Sequence, residues 1–367
     1  MTEPIFIGAR IYRGSSYGAH HPLSIPRVPT VTDLSRALGW LPDTQYRTSP
    51  CAKPSALTGF HTPDYIAALQ RAEATQRPDP AYDLGTLSNP VFPEVYRRPA
   101  TAAAGGLLAA EHVRAGGVAY NPGGGTHHGL PDRANGFCYL NEPVLTIRHL
   151  LGMGLRQIAY VDIDAHHCDG VAVAFHGSEQ VRMISVHEDK RWPFTGALDD
   201  DAAGSAINIP VPRGFNDTEF DLILNDVILP AVATQQPDAI YLQCGADAVT
   251  EDPLSRLALS NRCHVQTVTA LRSMAPRLIV SGGGGYNPWS VGRAWACVWA
   301  TLAGQEIPNR LPTEASEVLN GLRWSRKAQP SDAMISTLLD PPRPGPVSEQ
   351  VRAAVSTLKA RLSLQNG

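Results

Sequence analysis

Residues 158–173 read IAYVDIDAHHCDGVAV, an apolar run that ends in a cluster of carboxylates and imidazoles. Its first half has the β-branched and aromatic character of a buried strand. An unpaired charge at the end of such a strand costs several kcal/mol or is neutralised. Asp162, Asp164, His166, His167 and Asp169 therefore need partners. On an extended backbone, Asp164 and His166 leave the same face and can grip one cation from it. The stretch predicts a metal site at a strand end.

Three further apolar runs finish in the same manner. VAYN (118–121) leads through Pro122 and three glycines to Thr126, His127 and His128; AIYLQC (239–244) leads to Gly245, Ala246 and Asp247; RLIV (277–280) leads to Ser281, four glycines and Tyr286. In open parallel sheets ligands sit outside the carboxyl ends of the strands, so these runs predict one shared site. Adjacent imidazoles after glycines suit close backbone approach and proton chemistry.

Short apolar runs alternating with longer helical patterns predict an α/β chain. The architecture expected is a single-domain, doubly wound, mainly parallel sheet flanked by helices. Strands are expected near 5–11, 116–121, 157–163, 181–187, 206–211, 239–244 and 277–281, and helices near 63–73, 99–115, 141–153, 170–177, 217–234, 260–274 and 288–304. Residues 75–97 hold four prolines and little periodicity, which predicts a long ordered loop or lid. The tail 325–367 is expected to pack peripherally, on a single domain spanning 1–367.

The 367 residues suffice for a large core. Lys plus Arg number 31 against 34 Asp plus Glu, a net charge of −3, so no basic field exists to hold nucleic acid through its phosphates. Six cysteines form no C-x-x-C pair and read as free thiols of a reducing compartment. The N-terminal residues lack the layout of a signal peptide and no apolar stretch approaches membrane-spanning length. The expectation is a cytoplasmic protein with neither membrane nor nucleic-acid partners.

GGGTHHGLPDRANGFCYLNEP (123–143), DIDAHHCDG (162–170), QCGAD (243–247) and GGGGYNPWSVGRAW (282–295), in this order, resemble the histone deacetylase family. The resemblance extends to HHPLSIPRV (20–28) and FHTPDYI (60–66) and covers roughly residues 5–308. Cys168 is similar to the bacterial histone-deacetylase-like and acetoin-utilisation-type branch of the arginase/deacetylase superfamily.

The resemblance implies an arginase/deacetylase-like fold and a zinc-dependent amide hydrolase. Its substrates would be acetylated or short-acylated lysine side chains of proteins and peptides, or small acylated amines. Asp164, His166 and Asp247 match the metal ligands, and a set of two carboxylates and one imidazole also suits Fe(II). His127 and His128 match the proton-handling pair, backed by Asp162 and Asp169; Asp169 is equally suited to cap a helix. Tyr286 matches the oxyanion donor. A structural potassium is implied at Asp162, Asp164, His166, Ser185 and Val186, and a second at Phe175, Ser178 and Val181.

For the substrate tunnel, Gly136 and Phe137 match one wall, Leu254 another, and either Trp192 or Phe194 a third. Arg27 matches an arginine at the inner end, and Asp79 a rim aspartate at one residue's offset. Three other readings compete. An acetylpolyamine amidohydrolase would want acidic residues near the tunnel, where Leu254 stands. A binuclear ureohydrolase would need further ligands. An inactive acyl-lysine reader would have lost a ligand or Tyr286, and the sequence retains them all.

Overall fold

The computed structural model describes residues 3–326 and 329–364. Its centre is an eight-stranded, wholly parallel sheet in the order β2-β1-β3-β8-β7-β4-β5-β6. The strands are β1 (Ile5–Gly8), β2 (Tyr46–Thr48), β3 (Gly117–Asn121), β4 (Ile158–Asp162), β5 (Val181–Glu188), β6 (Ala206–Val211), β7 (Ala239–Gln243) and β8 (Arg277–Ser281). Successive residues point to opposite faces, so Ile158 and Tyr160 enter one apolar core while Ala159 and Val161 enter the other. Burial on both faces explains why these strands read as continuous apolar runs.

The parallel register aligns the strand ends in a row. Asp162 pairs with Ser185 on one side and Gln243 on the other, Gln243 pairs with Ser281, and Ser281 with Asn121. Chain order reverses between β3 and β4, with β8 and β7 between them. The loops that diverge from these ends leave a crevice, where α/β folds place ligands.

Seven strands lie where the apolar runs predict them, though β1 stops at Gly8 and Ile11–Gly14 turns helical. The unpredicted β2 is three residues long and two of them are exposed, so it carries no apolar run. A helix at Arg27–Ala37 was also not expected. Its buried face contains Thr30, Thr32 and Ser35, which hides the apolar period. Their hydroxyls donate to the carbonyls of Pro26, Val28 and Val31, and Pro29 falls in the first turn, where a missing N–H is tolerated. The helix expected over 217–234 is broken into Asp217–Ile223 and Leu229–Gln235 by a π-turn at Leu224–Ile228, just before Pro230.

The segment after residue 325, expected to be peripheral, sends Leu338, Val351, Val355, Leu358 and Leu362 into the larger core. Residues 327–328 and 365–367 of that segment lie outside the described residues. Asp340 is fixed there by the Asn261 amide at 3.0 Å and by a buried ion pair with Arg293 at 2.7 Å. Among the described residues no helix is long and apolar enough to cross a membrane.

Arg293→Ala should leave the buried Asp340 carboxylate without its cation and lower folding stability by about 3–5 kcal/mol. Urea unfolding of the variant measures this; a change under about 1 kcal/mol would show the pair to be dispensable.

Candidate active site and metal centre

Asp164 and His166 follow β4, and Asp247 follows β7. Their ligating atoms all lie within 4.8 Å of one another, the single such group of three or more among the described residues. His166 Nδ1 is 3.2 Å from Asp164 Oδ1 and 3.0 Å from Asp247 Oδ2. Asp164 Oδ2 accepts from Gln243 Nε2 at 2.8 Å and the Gly284 amide at 2.7 Å, while Asp247 Oδ1 accepts from the Ala165 amide at 2.9 Å. Each carboxylate is thereby oriented toward a common point.

The surroundings fit a divalent cation. All three side chains are buried, and Asp252 lies close enough to repel Asp247. Burial, then the charge of Asp164, pushes the Asp247 carboxyl up to about 6. That excess of buried negative charge is what a cation relieves. Backbone closes in as well, since a Cβ at Gly245 would fall 2.0 Å from Asp164 Oδ2 and one at Gly284 2.0 Å from Asp247 Oδ2.

Beside this cluster stand two imidazole–carboxylate pairs. His127 Nδ1 lies 2.8 Å from Asp162 Oδ2, His128 Nδ1 lies 2.6 Å from Asp169 Oδ1, and the two Nε2 atoms face each other at 2.9 Å. Burial depresses the His127 imidazole, but Asp162 and Asp164 outweigh it and raise it to about 9. Burial and the neighbouring His127 charge lower His128 to about 4, against the pull of Asp169. The two rings thus differ in proton affinity, His127 holding a proton more readily than His128. Asp169 also accepts from Asn135 Nδ2 at 2.9 Å and begins the helix Asp169–Phe175.

Tyr286 lies across the pocket, with its backbone amide donating to Asp252 Oδ2 at 2.6 Å. Burial, and then Asp247 and Asp164, raise its hydroxyl far above the ordinary tyrosine range, so it keeps its proton and remains a donor. The outer pocket, about 270 Å³, is walled by Gly136, Phe137, Trp192, Leu254 and Tyr286, with His128 and His166 also lining it. Trp192, not Phe194, forms the third wall. Its ring meets that of His128 edge-on at 4.7 Å, while Phe194 is turned to solvent. Beyond lies an inner recess of about 30 Å³, room for about two water-sized groups. Arg27 lines this recess, donates to the Gly283 carbonyl at 2.5 Å and lies over the Trp295 ring. A larger cavity of about 340 Å³ against β6, lined by Arg182, Asp201 and Leu358, contains none of these groups.

Asp79 stands apart from the pocket and pairs with Arg71 at 3.5 Å; its loop reaches the wall through Ser88 instead. Ser185 is next to Asp162 across the β4–β5 pairing, and its hydroxyl lies 3.0 Å from His187 Nδ1. Phe175, Ser178 and Val181 are drawn into one turn, where the Ser178 amide donates to the Phe175 carbonyl and the Val181 amide to the Ser178 hydroxyl.

Several supporting groups escape sequence reasoning. Asn141 Nδ2 donates to the His127 and Gly129 carbonyls at 3.1 and 2.9 Å, and the Asn141 amide donates to His61 Nε2 at 2.9 Å. Buried Glu142 accepts from the Gly125 amide at 2.8 Å and from the Tyr241 hydroxyl. Tyr160 donates its hydroxyl to Asp162. All four lie inside motif stretches, Asn141 and Glu142 in 123–143, His61 in 60–66 and Tyr160 in 158–173, and that adjacency is their one sequence signal.

Fold and site together define an α/β protein of the kind that collects carboxylates and imidazoles at parallel strand ends. Residues 21–302 match the histone deacetylase domain. The acetoin utilization protein AcuC of Bacillus subtilis is 32% identical over 331 residues, covering 86% of each chain. Histone deacetylase RPD3 of Saccharomyces cerevisiae is 32% identical over 330 residues, covering 86% of this chain and 76% of that one. The crystal structure of an HDAC homolog from Aquifex aeolicus superposes with a TM-score of 0.92 at 34% identity, covering 98% of this chain and all of that one. The chain belongs to the histone deacetylase family and is a hydrolytic deacetylase.

His61 makes part of the site's support dependent on pH. Its Nδ1 donates to the Leu130 carbonyl and its Nε2 accepts from Asn141, an arrangement open only to the neutral ring. Burial lowers it from 6.5 to about 4. The unfolded chain therefore takes up this proton first, and the stability that His61 contributes is present above pH 6.5 and lost as pH falls toward 4. The loss should be on the order of 3 kcal/mol. Comparing denaturation of wild type and His61→Gln at pH 7 and pH 4.5 isolates it, the variant showing the flatter dependence.

Proposed function

We propose that the protein hydrolyses the amide of acetylated or similarly short-acylated lysine side chains, or of lysine-like amines, using one zinc ion. Asp164, His166 and Asp247 would hold the ion, with Fe(II) and Mn(II) the other cations their chemistry suits. The observation that carries this reading is the convergence of two carboxylate-backed imidazoles, a three-donor cluster and a protonated tyrosine hydroxyl on one narrow pocket. When bound, the cation would polarise the scissile carbonyl and acidify a water beside it.

The chain's own groups do the rest. The water's oxygen bonds to the carbonyl carbon while the imidazole pair takes its proton. The C–N bond then breaks as an imidazole returns a proton to the leaving amine. Asp162 and Asp169 hold the protons at Nδ1, which fixes the two rings and leaves their facing Nε2 atoms as the proton-handling ends. Tyr286 donates to the carbonyl oxygen as it gains charge. Gly136, Phe137, Trp192 and Leu254 enclose a slim butylene stem, and the small inner recess suits an acetyl methyl group rather than a long acyl chain. Arg27 holds the glycine loop at Gly283 beside that recess.

A structural potassium bound by Asp162, Asp164, His166, Ser185 and Val186, and a second by Phe175, Ser178 and Val181, belong to the same reading by resemblance. A cytoplasmic location and the absence of a nucleic-acid partner are instead proposed from composition, from six cysteines without C-x-x-C spacing and a net charge of −3.

Asp247→Ala should lower both zinc content and hydrolysis of an acetyl-lysine peptide; full metal occupancy with normal turnover would remove the ligand assignment. Tyr286→Phe keeps the ring and deletes the donor. Its kcat should fall on the order of 100- to 1000-fold with little change in KM, and an unchanged kcat with bond cleavage rate-limiting would reject the oxyanion role.

A further inference from the structure

Scattered single apolar side chains on a surface are ordinary, whereas several gathered at one cleft mark a contact surface. Among the described residues four are exposed, Leu87, Val173, Trp192 and Phe194. One of these lines the pocket and two more lie within two residues of a lining residue. Trp192 lines it and is 38% exposed; Leu87, 98% exposed, adjoins the lining residue Ser88; Phe194, 74% exposed, closes the turn that carries Trp192, its amide donating to the Arg191 carbonyl at 2.7 Å.

Both supports of this collar are fixed. The Leu87 tip is closed by the Gly85 amide on the Asn89 carbonyl at 2.7 Å and the Asn89 amide on Thr86 Oγ1 at 3.0 Å. Asn89 Oδ1 then accepts from the Phe137 amide at 3.0 Å, which ties the tip to the pocket wall. On the other side Arg191 is held by Glu188 and donates to the Leu254 carbonyl at 2.8 Å. The collar is therefore preorganised, and a partner burying it loses little to ordering.

Among the described residues that line the pocket none is a carboxylate, and Arg191, the one charged side chain there besides the two imidazoles, is paired with Glu188. A basic residue next to the acylated lysine would find no counter-charge and would give up hydration. We infer that this deacetylase selects acyl-lysines flanked by large apolar residues, and discriminates against acyl-lysines in lysine-rich segments. The inference rests on the acyl-lysine reading proposed above.

Three peptides that share a central acetyl-lysine and differ only in flanking Phe, Gly or Lys test it. Wild-type kcat/KM should favour Phe over Gly flanks by about tenfold, the scale of one partly buried apolar side chain, with Lys flanks lowest. In the double variant Leu87→Ser, Phe194→Ser the Phe-to-Gly ratio should fall toward one, through KM and not kcat. Equal Phe and Gly values in wild type, a preference for Lys flanks, or a ratio unchanged in the double variant would each overturn the collar's role while leaving acyl-lysine hydrolysis intact. Failure to cleave all three peptides, beside turnover of acetylspermidine, would overturn the acyl-lysine reading and this inference with it.

Discussion

Asp162 is a carboxylate with no access to water at the end of the central strand β4, and the site is arranged around satisfying it. It accepts from His127 Nδ1, from the Tyr160 hydroxyl and from the Asp164 amide. An ionised group in that position is tolerable only with such a full set of donors. The same bonds set the tautomer of His127, and the Asp164 amide contact begins the turn that carries Asp164 and His166 out of the strand. Charge satisfaction and site geometry are thus one constraint.

The second constraint is closeness. Four chain segments meet within a few ångströms of Asp164 and Asp247, and backbone amides, not side chains, supply much of their orientation. The glycine runs at 123–125 and 282–285 read in the sequence as places of close backbone approach. Here they let the main chain pass within hydrogen-bond reach of buried carboxylates.

The sequence reveals most about groups that are chemically unusual for their setting. Asp164, His166, Asp247 and Tyr286 stand out because polar residues end apolar runs. The parallel sheet follows from strands apolar on both faces. What stays hidden is support that looks ordinary. Thr30, Thr32 and Ser35 disguise a buried helix as a polar loop, and the exposed β2 has too little apolar character to register. His61 and Glu142 act through hydrogen bonds to residues distant in the chain, Asn141 and Leu130 for the one and Gly125 and Tyr241 for the other, which no local pattern encodes. Spacing in a proline-rich loop is a weak guide to which residue reaches the pocket, and Ser88 of that loop, not Asp79, is among those that line it.

The strand order bears on how the chain can be assembled. β7 and β8, synthesised last, fill the middle of the sheet. Until they arrive, β2-β1-β3 and β4-β5-β6 are separate ribbons, and β3 and β4 each show an unpaired edge to solvent. Such edges recruit strands from other chains as readily as from their own. A nascent or truncated chain ending before residue 239 would therefore hold both imidazoles and Asp164 without Asp247, lack the central strands, and be prone to aggregate. Completion of the metal cluster and closure of the sheet's most vulnerable seam are the same late event.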